Sequence, residues 1–387
     1  MYWLGGFAQD KAKHTFGKLT PADFTLPASK VIDSNADAVI LFDIGDVHYI
    51  GSKTGWFSYV YKRQTRIRIL DNKGLDLATI GIGMHGGSEH ADVLSKVEAT
   101  TYNLENGQVV GTKLDPRDIY TDKPDKYRLH AKFSMPAVRQ GSIIEYTYTI
   151  TSEWWDRLPP WRFQRQHVPC LWSEYRVDIP QTLSFVFIRQ GIHPYAVDKG
   201  GTGHDSYMVR EQVESGLAPV DRELTVSANT IKHDWAIKDI PAFGSEAYLT
   251  TPDNYMDQIS FQLSGTYNGE ETSAHTNTWD KATDELLEKS NFGGPLKEDN
   301  DQVSGLTEKI TPAGGDLLAK AKADYYYISH HYTCTDGDWP YIETSFQDVI
   351  KHNSGSVGDI NLLLVAVLRR LGIAADPVLL STREFGY

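Results

Sequence analysis

Groups able to carry covalent chemistry are few in this chain. The two cysteines are Cys170, in VPCLWSEY, and Cys334, in TCTDGDW. Neither has a motif around it, and a free cysteine is usually an inert, buried small hydrophobe. Ser354 and Ser356 open the segment GSVGDINLLLVAVLRRLGIAADPVLLSTREFGY, which runs from Gly355 to Tyr387 with Ser354 just before it. A serine attacks only with a positioned base, so the capping role is the better reading of Ser356. Two further groups have ligand-like composition. Asp336, Asp338 and Glu343, around Trp339 and Pro340, form an acidic loop, although an oxygen-only calcium site needs more ordered ligand spacing. His85, Glu89 and His90, in HGGSEH, have metal-ligand chemistry, but Gly86 and Gly87 break the helix that would bring both imidazoles to one face. The adjacent His330 and His331 point different ways on a helix and cannot chelate from a shared face. Trp154, Trp155 and Trp161, around Pro159 and Pro160, read either as an aromatic platform for sugar or peptide or as a plug in the core, and the core is the better reading.

The elements that position these groups can be read from periodicity. Ile360, Leu363, Leu364, Val367, Leu368 and Leu371 share one helix face. Ser356 is a good N-cap and Asp359 can reach back to its amide, so the helix begins at Val357 and closes at Gly372. Ala374 to Thr382 then reads as a buried strand with Pro377 near its start. Helical spacing also marks Trp279 to Leu287 and Leu317 to Tyr332; in the latter, Tyr325, Tyr326 and Tyr327 must divide between core and solvent. Between about Ala38 and Phe243 the period is two, as in Arg66-Ile67-Arg68-Ile69 and Ile144 to Ile150. Asn106-Gly107 is a hairpin signal. Many short strands predict an antiparallel β-sandwich over residues 15–265, followed by the first half of an α+β domain over 270–387. Residues 1–14 read as a signal-peptide remnant or a disordered start.

Composition narrows the class. The chain has 387 residues, 40% of them apolar and 11% aromatic, which fits two globular domains rich in strand. A net charge of −13 disfavours nucleic acid and anionic lipid as partners. The longest apolar run, Leu362 to Leu368, is too short to span a bilayer. Two widely separated cysteines make neither a metal motif nor a disulfide framework, and no cofactor or metal is expected.

The segment from Gly355 resembles the core of the transglutaminase-like superfamily, with its Gly-x-Cys entry, an acidic residue two positions after the Cys, a Leu-rich helix and Arg-x-x-Gly-Ile. Gly355, Asp359, Arg369, Gly372 and Ile373 match. The resemblance implies a transglutaminase-like (papain-like) core in which the helix N-terminus lowers the pKa of the family's thiol. Counting back from Gly372, the Cys column falls on Val357, whose side chain has no lone pair to attack a carbonyl. The family's His and Asp come from strands further on, so no triad assembles from the residues up to Tyr387, and the domain is expected to be C-terminally truncated. Earlier, Gly141 to Tyr146, Phe163-Gln164 and Trp172-Ser173-Glu174-Tyr175 are similar to the β-rich domain of unknown function, DUF3857 type, that precedes such cores in Gram-negative envelope proteins. The implied protein is periplasmic or exported and non-catalytic. It would bind a peptide or envelope protein through Asp336, Asp338, Trp339, Ser356 and Asp359. An active cysteine peptidase or transglutaminase, or a carbohydrate-binding module built on the Trp cluster, are the alternatives.

Overall fold

The computed structural model describes residues 15–381 apart from 53–55, 88–89, 125–126, 216–217, 245, 247, 250, 268–271, 275–277, 298–300 and 337–339; of 211–215, 218–221, 272–274 and 336 it describes the backbone alone. The chain forms a large β-rich unit, Met1–His275, and a helical unit, Thr276–Thr382. The expected N-terminal segment 1–14 lies outside the described residues.

Eight strands of the first unit form one sheet: β1 (Ala38–Gly51), β2 (Phe57–Ile69), β4 (Val93–Glu105), β5 (Gln108–Lys113), β8 (Ile143–Ser152), β10 (Cys170–Pro180), β12 (Val197–Ser215) and β13 (Ala218–Ile240). Their order is β12-β13-β10-β1-β2-β8-β4-β5. A three-stranded sheet joins β3 (Thr79–His85), β7 (Arg128–Ser134) and β6 (Tyr120–Asp122). A further sheet joins β11 (Leu183–Gln190), β14 (Gln258–Tyr267) and β15 (Thr272–Ala274), with β9 (Trp161–Arg162) on β14. The large sheet is mixed, not purely antiparallel as expected: β1 and β10 run parallel, with Ile40 opposite Cys170 and Asp43 opposite Ser173. Parallel neighbours need a long crossover, and here the chain from β2 to β9 supplies it. A two-residue period reports a pleat and is silent on strand direction.

One continuous core draws on all three sheets, including Ile80 and Phe133, Leu183 and Ile259, and Tyr146, Tyr175 and Trp235. Single-faced alternation is clear in β3, whereas β8 is buried along almost its whole length, as a strand covered on both faces must be. The N-terminal segment covers part of its second face. Fully buried Glu145 accepts Arg66 Nε and Nη2 on Oε1 (2.9 and 2.6 Å) and the Gly17 amide on Oε2 (2.8 Å), while Arg66 Nη2 also donates to the Thr15 carbonyl. The β4–β5 hairpin turns at Asn106 (φ 50°) and Gly107 (φ 78°), the left-handed pair that a two-residue turn of this kind demands.

The helical unit contains α1 (Trp279–Glu288), α2 (Asp301–Ile310), α3 (Leu317–His331), α4 (Phe346–His352) and α5 (Val357–Arg370). Periodicity anticipates α1, α3 and α5; α2 and the seven-residue α4 are additional. The core packs Val303, Leu306, Ile328, Phe346 and Val349 against α5. Its buried stripe centres on Leu362, Leu363 and Val367, so Leu362, outside the face read from spacing, is in the core. On α3, Tyr325 and Tyr326 face solvent while Tyr327 packs on the core and stacks on His331 at 4.1 Å.

The strand expected at Ala374 to Thr382 is not formed over its described residues, 374–381. The chain after α5 is irregular through residue 381, and Val378 and Leu380 are 75% and 85% exposed. A strand exists through its ladder, and no described strand pairs with this stretch. It is held at its start by Arg369, whose Nε donates to the Ala375 carbonyl (2.7 Å) and whose Nη2 donates to Asp376 (3.0 Å).

Candidate functional site

The first turn of α5 is built as a closed hydrogen-bonded unit. Asn353 takes a left-handed conformation (φ 50°, ψ 39°) and turns the chain out of α4 into β17 (Ser354–Ser356). That strand runs parallel to β16 (Thr333–Asp336), with Cys334 opposite Gly355 and Asp336 opposite Ser356. At the N-cap, Ser356 Oγ accepts the Asp359 amide (3.1 Å) and Asp359 Oδ2 accepts the Ser356 amide (2.9 Å), the reciprocal pair of a capping box. Asp359 Oδ1 accepts two more amides, from Glu343 (2.8 Å) and Thr344 (3.1 Å). Both Ser356 and Asp359 are buried. Their side chains therefore hold the turn together and tie the 343–344 segment to it.

Two glycines are dictated by close approach. A Cβ on Gly358 would come within 2.6 Å of the Tyr341 carbonyl oxygen and 2.7 Å of the Pro340 oxygen. One on Gly355 would meet the Asp359 Cβ at 2.9 Å. Residues 340–344 thus pack directly on the helix start, and Val357, half-buried, occupies the first helical position between them. The geometry presents the positive end of a 14-residue helix at a hydrocarbon side chain. A thiol at that position would be activated; a valine is not.

Of the residues assigned to binding from sequence, Ser356 and Asp359 meet at this turn, and the Asp336 backbone lies beside them. Asp338 and Trp339 lie outside the described residues. Cys334, which had no sequence motif to recommend it, is exposed and stands in register with Gly355. Only strand pairing could reveal that neighbourhood. Cys170 is fully buried, and burial, with the Asp43 charge adding, pushes its thiol far up from the usual range. It is no nucleophile.

The other candidates separate. His85 Nδ1 pairs with Asp92 (3.0 Å) and His90 Nδ1 with Glu153 (2.7 Å), so the two imidazoles have different carboxylate partners; Glu89 lies outside the described residues. Among the described residues no three His, Cys, Asp or Glu converge as metal ligands. His330 and His331 each turn Nδ1 to the carbonyl four residues back, Tyr326 and Tyr327. Trp161 is core, stacked on Tyr175 at 5.1 Å with Nε1 donating to Ser173 Oγ. Trp154 and Trp155 are only half-buried and line a pocket.

A charge cluster in the β-rich unit was not anticipated. Asp43, 1% exposed, accepts Arg63 on both oxygens (2.8 and 2.6 Å), Arg165 (2.9 Å) and the Thr65 hydroxyl (2.9 Å). Burial works to raise this carboxyl, but the two guanidiniums outweigh it and hold it down at about 2. The only sequence signal was charge at strand positions, as in Arg63 and Arg66.

Among the described residues no helix is long and apolar enough to cross a membrane. Comparison with curated proteins finds no match. Among solved structures, a protein of Parabacteroides distasonis described as a "putative protease" superposes with a TM-score of 0.57 at 14% identity, over 87% of this chain and 59% of that one. This chain thus spans about three-fifths of that protein's length, and the likeness is one of fold. An M1 zinc metallopeptidase of Deinococcus radiodurans (TM-score 0.21, 9% identity, 70% of this chain and 55% of that one) and native yeast LTA4 hydrolase (0.23, 10%, 80% and 40%) are too dissimilar to bear on the fold. Residues 57–207, from β2 into β12, match the family model for a Domain of Unknown Function with solved structure, DUF3857.

Proposed function

We propose that this chain belongs to a transglutaminase-like protein of a Gram-negative cell envelope, and that it binds an extended peptide or a neighbouring envelope protein at the start of α5 without cleaving it. The observation that carries the reading is Val357 at the first helical position of an intact capping turn. The capping turn that would seat a thiol at a helix N-terminus is formed, and the residue at that position carries a side chain with no lone pair. The DUF3857 match and the fold shared with the Parabacteroides protein support the family setting. Strand β16 pairs with β17 and with no other described strand, so a peptide adding alongside it would satisfy its amides as a strand does. The acidic residues Asp336 and Asp338 suit a basic partner whose attachment weakens with salt. The test is a pull-down from envelope extract with the intact protein and with Asp336→Lys/Asp338→Lys. Identical partners for both would remove this surface from consideration.

A second reading follows from Cys334, exposed and opposite Gly355, together with the description of the structural neighbour as a protease. In it the thiolate of Cys334 attacks the acyl carbon, the C–N bond breaks and the amine leaves with a proton from solvent. Water (peptidase) or a second amine (transglutaminase) then displaces the thiolate from the thioester. Alkylation of Cys334 separates the two: peptide turnover abolished by alkylation supports the enzyme, and absence of turnover before alkylation supports the binding protein.

A further inference from the structure

Away from α5, the β-rich unit holds an open pocket of about 350 Å³. Its lining residues include the aromatics Trp56, Phe57, Trp154 and Trp155 and the polar His90, Glu153 and Asp156. We infer that this is a binding site for a single basic side chain, the guanidinium or ammonium group of a peptide, held between indole faces and carboxylates.

The walls are fixed before any ligand arrives. Phe57 is buried, edge-on to Tyr49 and Tyr207 at 6.1 and 5.2 Å. The Tyr49 hydroxyl donates to the Trp155 carbonyl (2.7 Å), and Trp154 Nε1 donates to the His90 carbonyl (3.0 Å). Trp56, in contrast, is 40% exposed, an indole left in water beside a formed cavity. The polar side is unbalanced. Glu153 is matched by His90, whereas among the described residues the ion-pair partner of Asp156 is the Nε of Arg157, at 3.9 Å. Burial, opposed by a hydrogen bond with Ser152 and aided by the Asp92 and Asp156 charges, pushes the nearby Tyr59 phenol up to about 12.

Cation recognition follows from these groups. An aromatic face attracts a cation through its quadrupole, and a carboxylate at the rim adds direct attraction. One such contact already lies here, since the Arg157 guanidinium sits 5.0 Å over the Trp154 ring. A neutral sugar would also stack on indoles, but it would gain no charge attraction from Glu153 and Asp156. The volume is at the small end of ligand pockets, suited to one side chain rather than several sugar rings.

The experiment is a titration of the whole chain followed by tryptophan fluorescence and calorimetry, with three probes: acetyl-Gly-Arg-Gly-amide, its neutral citrulline counterpart, and cellotetraose. The arginine peptide is expected to saturate, to weaken as salt rises, and to bind at least about tenfold more tightly than the citrulline peptide. Trp56→Ala and Asp156→Asn should each weaken it about tenfold with the melting temperature retained. Equal binding of arginine and citrulline peptides by the unaltered protein overturns the inference. So does absence of saturation at millimolar peptide, or binding of cellotetraose in its place. The citrulline comparison needs no variant, so it decides even where a substitution perturbs folding.

Discussion

Asp43 in the β-rich unit and Asp359 in the helical unit are both about 1% exposed, and the two regions solve the problem of a buried carboxylate differently. Asp43 is neutralised by two guanidiniums, one from the neighbouring strand β2 and one from the loop after β9. Asp359 is surrounded by three backbone amides, one from its own N-cap and two from the segment just before α4. The first arrangement clamps a sheet and commits formal charges to the interior. The second shapes a helix start with dipoles alone and keeps net cationic charge away from position 357. A third case, Asp324 on α3, has neither among the described residues: its two oxygens share the single proton of the Thr311 hydroxyl, at 3.1 and 3.0 Å. Burial accordingly raises its carboxyl above the usual range, with Thr311 opposing only in part. Cations, amides and a lone hydroxyl thus form a descending series of support for a buried negative charge.

The largest break of this comparison is Asp43→Ala, which leaves Arg63 and Arg165 facing each other without an anion. It should cost the β-rich unit about 4 kcal/mol in urea unfolding followed by tryptophan fluorescence. The sign of the pH dependence follows from the depressed folded value of about 2 against an ordinary 3.8. The stabilisation is present above the unfolded value and is lost as pH falls from there through the folded one, about 2 kcal/mol in all. Asp43→Asn should abolish that acid limb.

Asp359→Ala removes the acceptor of three amides and should cost the helical unit about 3 kcal/mol. Hydrogen exchange is the decisive readout. The amides of Glu343, Thr344 and Ser356 should lose protection together, and unchanged protection would show that the 340–344 segment is held by other means. Gly358→Ala acts on the same packing by steric means, and should cost about 2 kcal/mol as the Pro340-Tyr341 backbone is forced off the helix start. Melting of the variant against the unaltered chain measures it.

The smallest effect has the opposite sign. Asp324→Asn should stabilise the helical unit by about 0.5 kcal/mol at pH 7, since an amide loses less than a carboxylate on burial. Because the folded value is raised, the penalty is present above it and disappears as pH falls through it toward the unfolded value. The unaltered chain should therefore gain helical-unit stability on mild acidification, the reverse of the Asp43 limb, and the variant should not. Identical pH profiles for variant and parent would place the Asp324 charge in contact with water.

The site was partly legible because its signals are local. Ser356, Asp359 and the apolar spacing predict where α5 begins, since an N-cap and its reciprocal partner are three residues apart and need nothing else to form. Asn106-Gly107 marks its hairpin for the same reason. Seven-residue α4 and the Leu362 contact escaped notice, because a helix that short owes its existence to packing rather than to a repeating pattern.

What the amino-acid order determined by itself was the set of elements with short-range causes: the start of α5, the valine at its first position, the hairpin turn and the strand-rich character of the first unit. The tertiary structure alone decided which residues meet. It set β1 parallel to β10, placed Cys334 opposite Gly355, gathered Asp43, Arg63 and Arg165, and left residues 374–381 outside any described sheet. The physical reason is range. A capping bond is selected by the conformations of a few adjacent residues, whereas the Asp43–Arg165 bond spans 122 positions, and its formation depends on the loop entropy and packing of all the chain between them.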